Sequence, residues 1–241
     1  MRKSSVDEIR ERFDNDVERF SNLETGQSAT IDAPLVLELI AQAAAATCPE
    51  ARDLLDVGCG AGNYALKLLE RQPGLNVTLL DLSLPMLERA RQRVSAATPG
   101  SVTTLRGDIR DVELGAGRFD VIVAAAVLHH LRTDQEWDDV FTKFHRALRP
   151  GGSIWISDLI EHTSAPIQQM MWARYGEYLT QLKDPAYRDT VFAYVDREDT
   201  PRPLLEQVDR LRAAGFTGVE ILHKNSVFAA FGAVKPACPG A

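Results

Sequence analysis

Residues Leu54–Leu69 read LLDVGCGAGNYALKLL. An apolar run meets three glycines in five positions, Gly58, Gly60 and Gly62, and passes into a run with helical spacing. Glycine reaches backbone angles that other residues avoid and carries no Cβ to hold a ligand away. At a strand-to-helix turn both properties bring the main chain against a bound molecule, beside the free N–H groups of the helix start. The dinucleotide fingerprint would place a glycine sixth, G-x-G-x-x-G, and here Asn63 stands there. The spacing argues against a nicotinamide oxidoreductase. A tight turn without a ligand remains the plain alternative.

The flanks give the loop its context. DLLDVG, NVTLLDL, VTTLRGD, FDVIVAAAV and SIWISDLI read as buried strands. Between them NYALKLLER, SLPMLERARQRV and TDQEWDDVFTKFHRALRPGG read as helices, the second capped by Ser83 with Pro85 in its first turn. Such alternation predicts an α/β fold with a Rossmann-like, doubly wound, mostly parallel sheet, whose ligands sit beyond the carboxyl ends of the strands. Ahead of it, Val6, Ile9, Phe13, Val17 and Phe20 share one face of a predicted helix, and a second helix follows Pro34. After the fifth strand a helical stretch rich in aromatics intervenes. A helix carrying Leu204, Val208 and Leu211 then ends at Gly215, and two strands turn about Lys224-Asn225 as an antiparallel pair. The expected units are an N-terminal helical cap (1–48), a ligand-binding core (49–160), a helical lid insertion (161–199) and a C-terminal helix with a strand pair completing the sheet (200–241).

Composition narrows the class. The 241 residues are 45% hydrophobic and 25% charged with a net charge of -7, ordinary for a globular protein and without the broad basic surface of a nucleic-acid binder. Cys48, Cys59 and Cys238 are too scattered for a disulfide framework or a zinc pattern. MRKSSVDEIRER lacks the apolar centre of a signal peptide, and no apolar run is long enough to span a bilayer. A cytoplasmic protein is expected, with no membrane partner. A homodimer through the aromatic insertion stays open.

Three acids sharpen the reading of the glycine loop. Asp81 ends the next strand, about twenty residues on, where a carboxylate can accept from ribose hydroxyls. RGDIRD puts Asp108 and Ile109 at the end of the third strand, suited to an adenine amino group and ring face. Asp56 lies within the first strand, and a buried carboxylate needs a partner such as a ligand ammonium. Each has a plainer role to compete with: a helix cap, a loop aspartate, a contact to backbone amides. Together they describe a ligand with an adenine, a ribose diol and a charged amino-acid tail. VLHHLRTD follows the fourth strand at the mouth of this site, so His129 and His130 are the candidates for a base that takes an acceptor's proton. Packing or local hydrogen bonding is the competing reading for both. Adjacent histidines point apart, so no metal is expected.

With LLDVGCGAGNYA, VTLLDLS, RGDIRDV, FDVIVAAAVLHHL and LRPGGSIWISD in this order and spacing, the chain resembles the class I S-adenosylmethionine-dependent methyltransferases from Asp53 to Ile160. The resemblance implies a seven-stranded sheet with an antiparallel last strand and S-adenosyl-L-methionine as cofactor. It implies cofactor contacts at Gly58, Gly60, Asp81, Asp108 and Ile109, with Asp56 and Gly62 supporting the loop, Cys59 and Leu82 beside them, and Ala124 under the methionine portion. In some O-methyltransferases of the superfamily a catalytic histidine matches His129. Insertions after the fifth strand commonly build the acceptor pocket, here Trp172 and Tyr175. The implied activity is methylation of oxygen or nitrogen on a small-molecule acceptor. A looser similarity, to the family making the carboxy-S-adenosylmethionine used in tRNA wobble-uridine modification, points to Arg188 in AYRDTVF as a carboxylate partner. A cofactor-binding module without catalysis is the remaining alternative.

Overall fold

The computed structural model describes residues 3–22 and 27–237. Cys238 and part of the polar break between the N-terminal helices lie outside them.

Five parallel strands, β1 (Asp53–Val57), β2 (Asn76–Asp81), β3 (Val102–Arg106), β4 (Phe119–Ala125) and β5 (Leu148–Glu161), carry the fold. The two-residue β6 (Arg202–Pro203) pairs with the end of β5, and β7 (Thr217–Asn225) and β8 (Phe228–Val234) close the chain. The sheet order is β3-β2-β1-β4-β5-β8-β7, with β8 antiparallel to both neighbours. β1 pairs with β2 on one side and β4 on the other, so the strand order reverses there.

Alternate residues of the central strands serve opposite faces. Leu55, Val57, Ile122 and Ala124 pack on one side with Trp137, Phe141 and Phe144 of α6 (Asp134–Ala147) and with Val208 and Leu211 of α9 (Leu204–Ala213). Leu54, Leu79, Val121 and Val123 pack on the other with α3 (Ala33–Thr47), α4 (Asn63–Leu69) and α5 (Leu84–Ser95). Helix starts follow local chemistry. Ser83 Oγ accepts from Met86 N at 3.3 Å, with Pro85 in the first turn. Thr133 and Glu136 form a reciprocal capping box on α6.

Two expectations change at the N-terminus. The single helix expected across Val6–Phe20 is two, α1 (Val6–Asp14) and α2 (Val17–Ser21). Asn15 caps α1, and Asn and Asp side chains compete with helical hydrogen bonding. The helix after Pro34, α3, packs against the sheet and is part of the body instead of a cap, because Val36, Ile40 and Ala44 form one apolar face. α1 is tethered to the end of α8 (Pro185–Glu198): Ser4 N donates to Arg197 O at 3.2 Å, and Arg12 pairs with Glu198 at 2.8 Å.

α7 (Ala165–Leu182) and α8 occupy the expected insertion. Their aromatics form a third apolar cluster with Ile31, Leu159 and Phe228. No described helix is long and apolar enough to cross a membrane.

Phe141 is fully buried between α6 and the sheet. Phe141→Ala should lower unfolding free energy by about 3–5 kcal/mol, read by urea denaturation.

Candidate functional site

A cleft of about 1000 Å³, counting its open mouth, lies at the carboxyl ends of β1, β2 and β4, where the strand order reverses. The glycine loop forms one wall. Gly58, Gly60 and Gly62 all have positive φ, 63°, 48° and 83°. The missing side chains serve different ends. A Cβ on Gly58 would come within 2.7 Å of the Val127 side chain, and one on Gly62 within 3.1 Å of Val94 on α5. A Cβ on Gly60 would meet no protein atom within 4 Å. Gly58 and Gly60 line the cleft together with Cys59, whereas Gly62 does not and permits helix packing.

The acids divide by how fully the chain satisfies them. Asp81 Oδ2 accepts from Gly60 N at 2.8 Å and Oδ1 from Ser83 N at 2.9 Å, while burial pushes its carboxyl up. Asp56, 2% exposed, accepts from Ala65 N at 3.1 Å. This uses an amide of the first turn of α4, so that amide faces an internal acid instead of a ligand. Burial, opposed by the Ala65 bond and helped by Asp81, pushes Asp56 up to about 7. Asp108 is gripped by Arg110, whose Nε reaches Oδ1 at 2.9 Å and Nη2 reaches Oδ2 at 2.6 Å. Burial would raise Asp108, but Arg110 outweighs it and holds the carboxyl low. Asp56, Asp81, Leu82, Asp108 and Ile109 all border the cleft.

The histidines separate. His130 borders the cleft and His129 does not. Asp158, buried at the end of β5, ties down the 3-10 turn Leu128–His130. Its Oδ2 accepts from Leu128 N at 2.8 Å and His129 N at 3.2 Å, and its Oδ1 bonds His129 Nδ1. His129 Nε2 lies 3.6 Å from Asp199 Oδ1. Burial alone would lower the imidazole, but Asp158 and Asp199 raise it to about 9. The His129 ring faces these two acids and not the cleft, where the base expected of it would have to stand. Burial, with His129 and Arg132 nearby, holds His130 well below its ordinary value, hence neutral. The expectation that the two rings diverge also fails. The tight turn sets their centroids 4.4 Å apart, and His130 Nδ1 reaches the same Asp199 oxygen at 3.4 Å.

Four other expected residues lie away from the cleft. Ala124 is fully buried in the core, and Ala125 and Ala126 border the cleft in its place. Trp172 and Tyr175 pack on Phe192, and Tyr175 also on Phe228, while the Tyr175 hydroxyl donates to Ala29 O at 3.0 Å. An apolar face needing burial found the β7–β8 hairpin, not a ligand. Arg188 pairs with Asp189 at 2.7 Å. The apolar lining comes instead from Phe13, Phe20, Met86, Val127 and Leu131. Tyr64 and Arg110 were also missed. Tyr64 directly follows the loop, a signal that position alone could have given; burial pushes its hydroxyl up to about 12. Asp158 was missed as well, although an acid in an apolar strand is a signal that could have found it, whereas Asp199 carries no local signal.

Residues 54–152 match the family described as a methyltransferase domain. Nocamycin O-methyltransferase of Saccharothrix syringae is 31% identical over 180 residues, covering 72% of this chain and 62% of that protein. UbiE of Cereibacter sphaeroides, a ubiquinone/menaquinone biosynthesis C-methyltransferase, is 27% identical over 169 residues, 68% of this chain and 65% of its own length. An O-methyltransferase family protein from Burkholderia thailandensis shares the fold, with a TM-score of 0.67 at 18% identity over 94% of this chain and 62% of that one. The chain spans less than two thirds of each of these proteins.

Asp158→Ala should destabilise the fold by about 3–5 kcal/mol in urea unfolding, because it leaves His129 and two amides buried without their acceptor.

Proposed function

We propose that the chain is a class I S-adenosylmethionine-dependent methyltransferase, a reading supported by the methyltransferase-domain match over residues 54–152 and by the relatives above, and that it methylates an oxygen or nitrogen of a small-molecule acceptor. The observation that carries the reading is the cleft wall around Gly60. Its positive φ, the open space beyond its α-carbon and the underused carboxylate of Asp56 are grouped at the strand-order reversal. These features fit a cationic nucleoside. Asp81 would accept from the ribose, Ile109 would flank the adenine, and Asp108, already held by Arg110, would offer the adenine amino group its remaining lone pairs. Asp56 would face the ammonium, and Ala125 and Ala126 the methionine portion. When bound, S-adenosylmethionine supplies a methyl group activated on a sulfonium.

The protein's own share is position and dryness. Holding reactants in line is worth about 7–11 kcal/mol. General acid–base assistance contributes about 10²–10⁴-fold, or some 3–5 kcal/mol at 1.36 kcal/mol per tenfold. Shape therefore outweighs any base. Phe13, Phe20, Met86 and Leu131 supply an apolar wall that excludes water from the acceptor side. His130, the one histidine bordering the cleft, favours an acceptor atom that carries a proton, oxygen or nitrogen, over carbon. The relatives named above act on either oxygen or carbon, so carbon is an outcome of the acceptor screen. The carboxy-S-adenosylmethionine reading loses its support with Arg188 off the cleft. We further propose a cytoplasmic location and no nucleic-acid partner.

Calorimetry with S-adenosylmethionine and its demethylated product should give one saturable site for each; no binding of either would defeat the proposal. Gly60→Leu should weaken binding more than tenfold, and Gly60→Ala, which shares the backbone strain, should weaken it less. Binding without turnover across an acceptor library would favour the non-catalytic module.

Asp56 also sets a pH dependence. Its neighbours Asp81, Cys59 and Tyr64 are uncharged or anionic near neutrality and supply no competing cation. A ligand ammonium selects the ionised carboxylate, so affinity should be full above about pH 7 and fall about tenfold per unit below it. Asp56→Asn should flatten this profile in titrations from pH 5.5 to 8.5.

A further inference from the structure

The chain folds a cluster of ligand-type atoms behind the wall of the cleft, of which His130 alone borders it. We propose that His129 Nε2, His130 Nδ1 and Asp199 Oδ1 form a binding site for a first-row divalent metal ion of the zinc type. The three atoms come from the turn after β4 and the residue after α8, and they lie within 4.8 Å of one another. Asp199 Oδ1 is 3.6 Å from His129 Nε2 and 3.4 Å from His130 Nδ1. Tetrahedral zinc, with bonds of about 2.0–2.1 Å, sets its ligand atoms roughly 3.3 Å apart. Two edges of such a site are therefore close to the spacing an ion would impose, and the third is within 4.8 Å.

The second observation is polar accounting. Asp199 is 4% exposed, yet Oδ1 has no hydrogen-bond partner among the described residues. His130 makes no side-chain hydrogen bond; its ring meets the Glu198 backbone and stands 3.4 Å from Asp199 Oδ1. Leaving buried groups unsatisfied costs about 1–3 kcal/mol each, and one cation would answer Asp199 Oδ1 and His130 Nδ1 together. The third observation is the support behind His129. Asp158 holds Nδ1, which fixes the tautomer and turns Nε2 toward Asp199. A carboxylate behind a histidine is the usual outer partner of a metal-bound imidazole.

The local charge favours a cation, with Asp158 and Asp199 flanking the imidazoles. Arg132, bonded to Thr200 Oγ1 at 2.9 Å, works against it in part. The mixed imidazole–carboxylate donor set suits zinc, manganese or iron better than calcium. Three protein ligands leave at least one coordination position. Since His130 borders the cleft, that position would take water or an oxygen of a molecule in the cleft. The competing account is a closed ion-pair cluster in which the proton on His129 is the only cation, and it needs no metal.

The test is direct and independent of methyl transfer. The full-length protein, stripped with a chelator and free of S-adenosylmethionine, is titrated with zinc chloride by calorimetry and with cobalt(II) by visible absorption. About one equivalent should bind, and cobalt should develop ligand-field bands of a low-coordinate nitrogen–oxygen site. His130→Ala and Asp199→Asn should each weaken zinc binding at least tenfold and abolish the cobalt bands, while His162→Ala should bind as the parent does. If Asp199→Asn fails to fold, His130→Ala decides, because its side chain is 14% exposed and tolerates truncation better. No saturable binding by the parent, or binding that neither substitution reduces, overturns the proposal and leaves the closed ion-pair cluster.

Discussion

The reversal of strand order between β1 and β4 is the constraint from which the rest of the structure follows. The chain leaves β1 toward β2 and β3 on one side and returns to β4 and β5 on the other. Right-handed crossovers then depart in opposite directions from two adjacent strands. No connection covers the gap between their carboxyl ends, and a cleft is left with main-chain atoms at its base. The glycines, the paired acids and the two histidines all sit where that gap brings the ends of β1, β2 and β4 together.

Four buried carboxylates surround this gap, and their surroundings differ in a telling way. Asp81 and Asp158 are well supplied with amide donors from Gly60, Ser83, Leu128 and His129. They hold turns in place. Asp56 has one backbone donor, and one oxygen of Asp199 has none. Burial pushes these two up, to about 7 and about 6. The chain has withheld compensation from those two and given it to the others. Asp158 is spent on the turn it holds, whereas Asp81, which borders the cleft, combines a turn-holding role with the ribose contact proposed for it.

Much of this was legible in the sequence, for a physical reason. Strand–loop–helix repeats, capping residues and glycines at forced turns act over a few neighbouring residues, so the sheet, Ser83, Gly60, Asp56 and Asp81 could be placed directly. Failures arose where the deciding partner was distant or the parity was fine. Ala124 and Ala125 are adjacent, but a strand turns successive side chains to opposite faces, so a one-residue error crosses the sheet. The aromatics of α7 looked like a pocket, yet Phe228 and Ile31 were there to cover them. His129 looked like a base because nothing nearby in the chain announced that Asp158 and Asp199 would both reach it. The N-terminal break at Asn15 was signalled by polar residues that the apolar periodicity concealed.

The tether of α1 has a consequence for the cleft wall. Phe13 and Phe20 wall the cleft, but the helices that carry them are short, and α1 is fastened to the end of α8 mainly through Ser4, Arg12 and Glu198. Polar contacts of this kind are individually weak compared with the buried core beneath them. The wall that carries Phe13 is thus fastened by polar contacts distinct from those that hold the sheet. Salt, which screens such pairs, and substitution at Ser4 or Arg12, neither of which borders the cleft, act on that fastening and leave the ligand-lining residues unchanged.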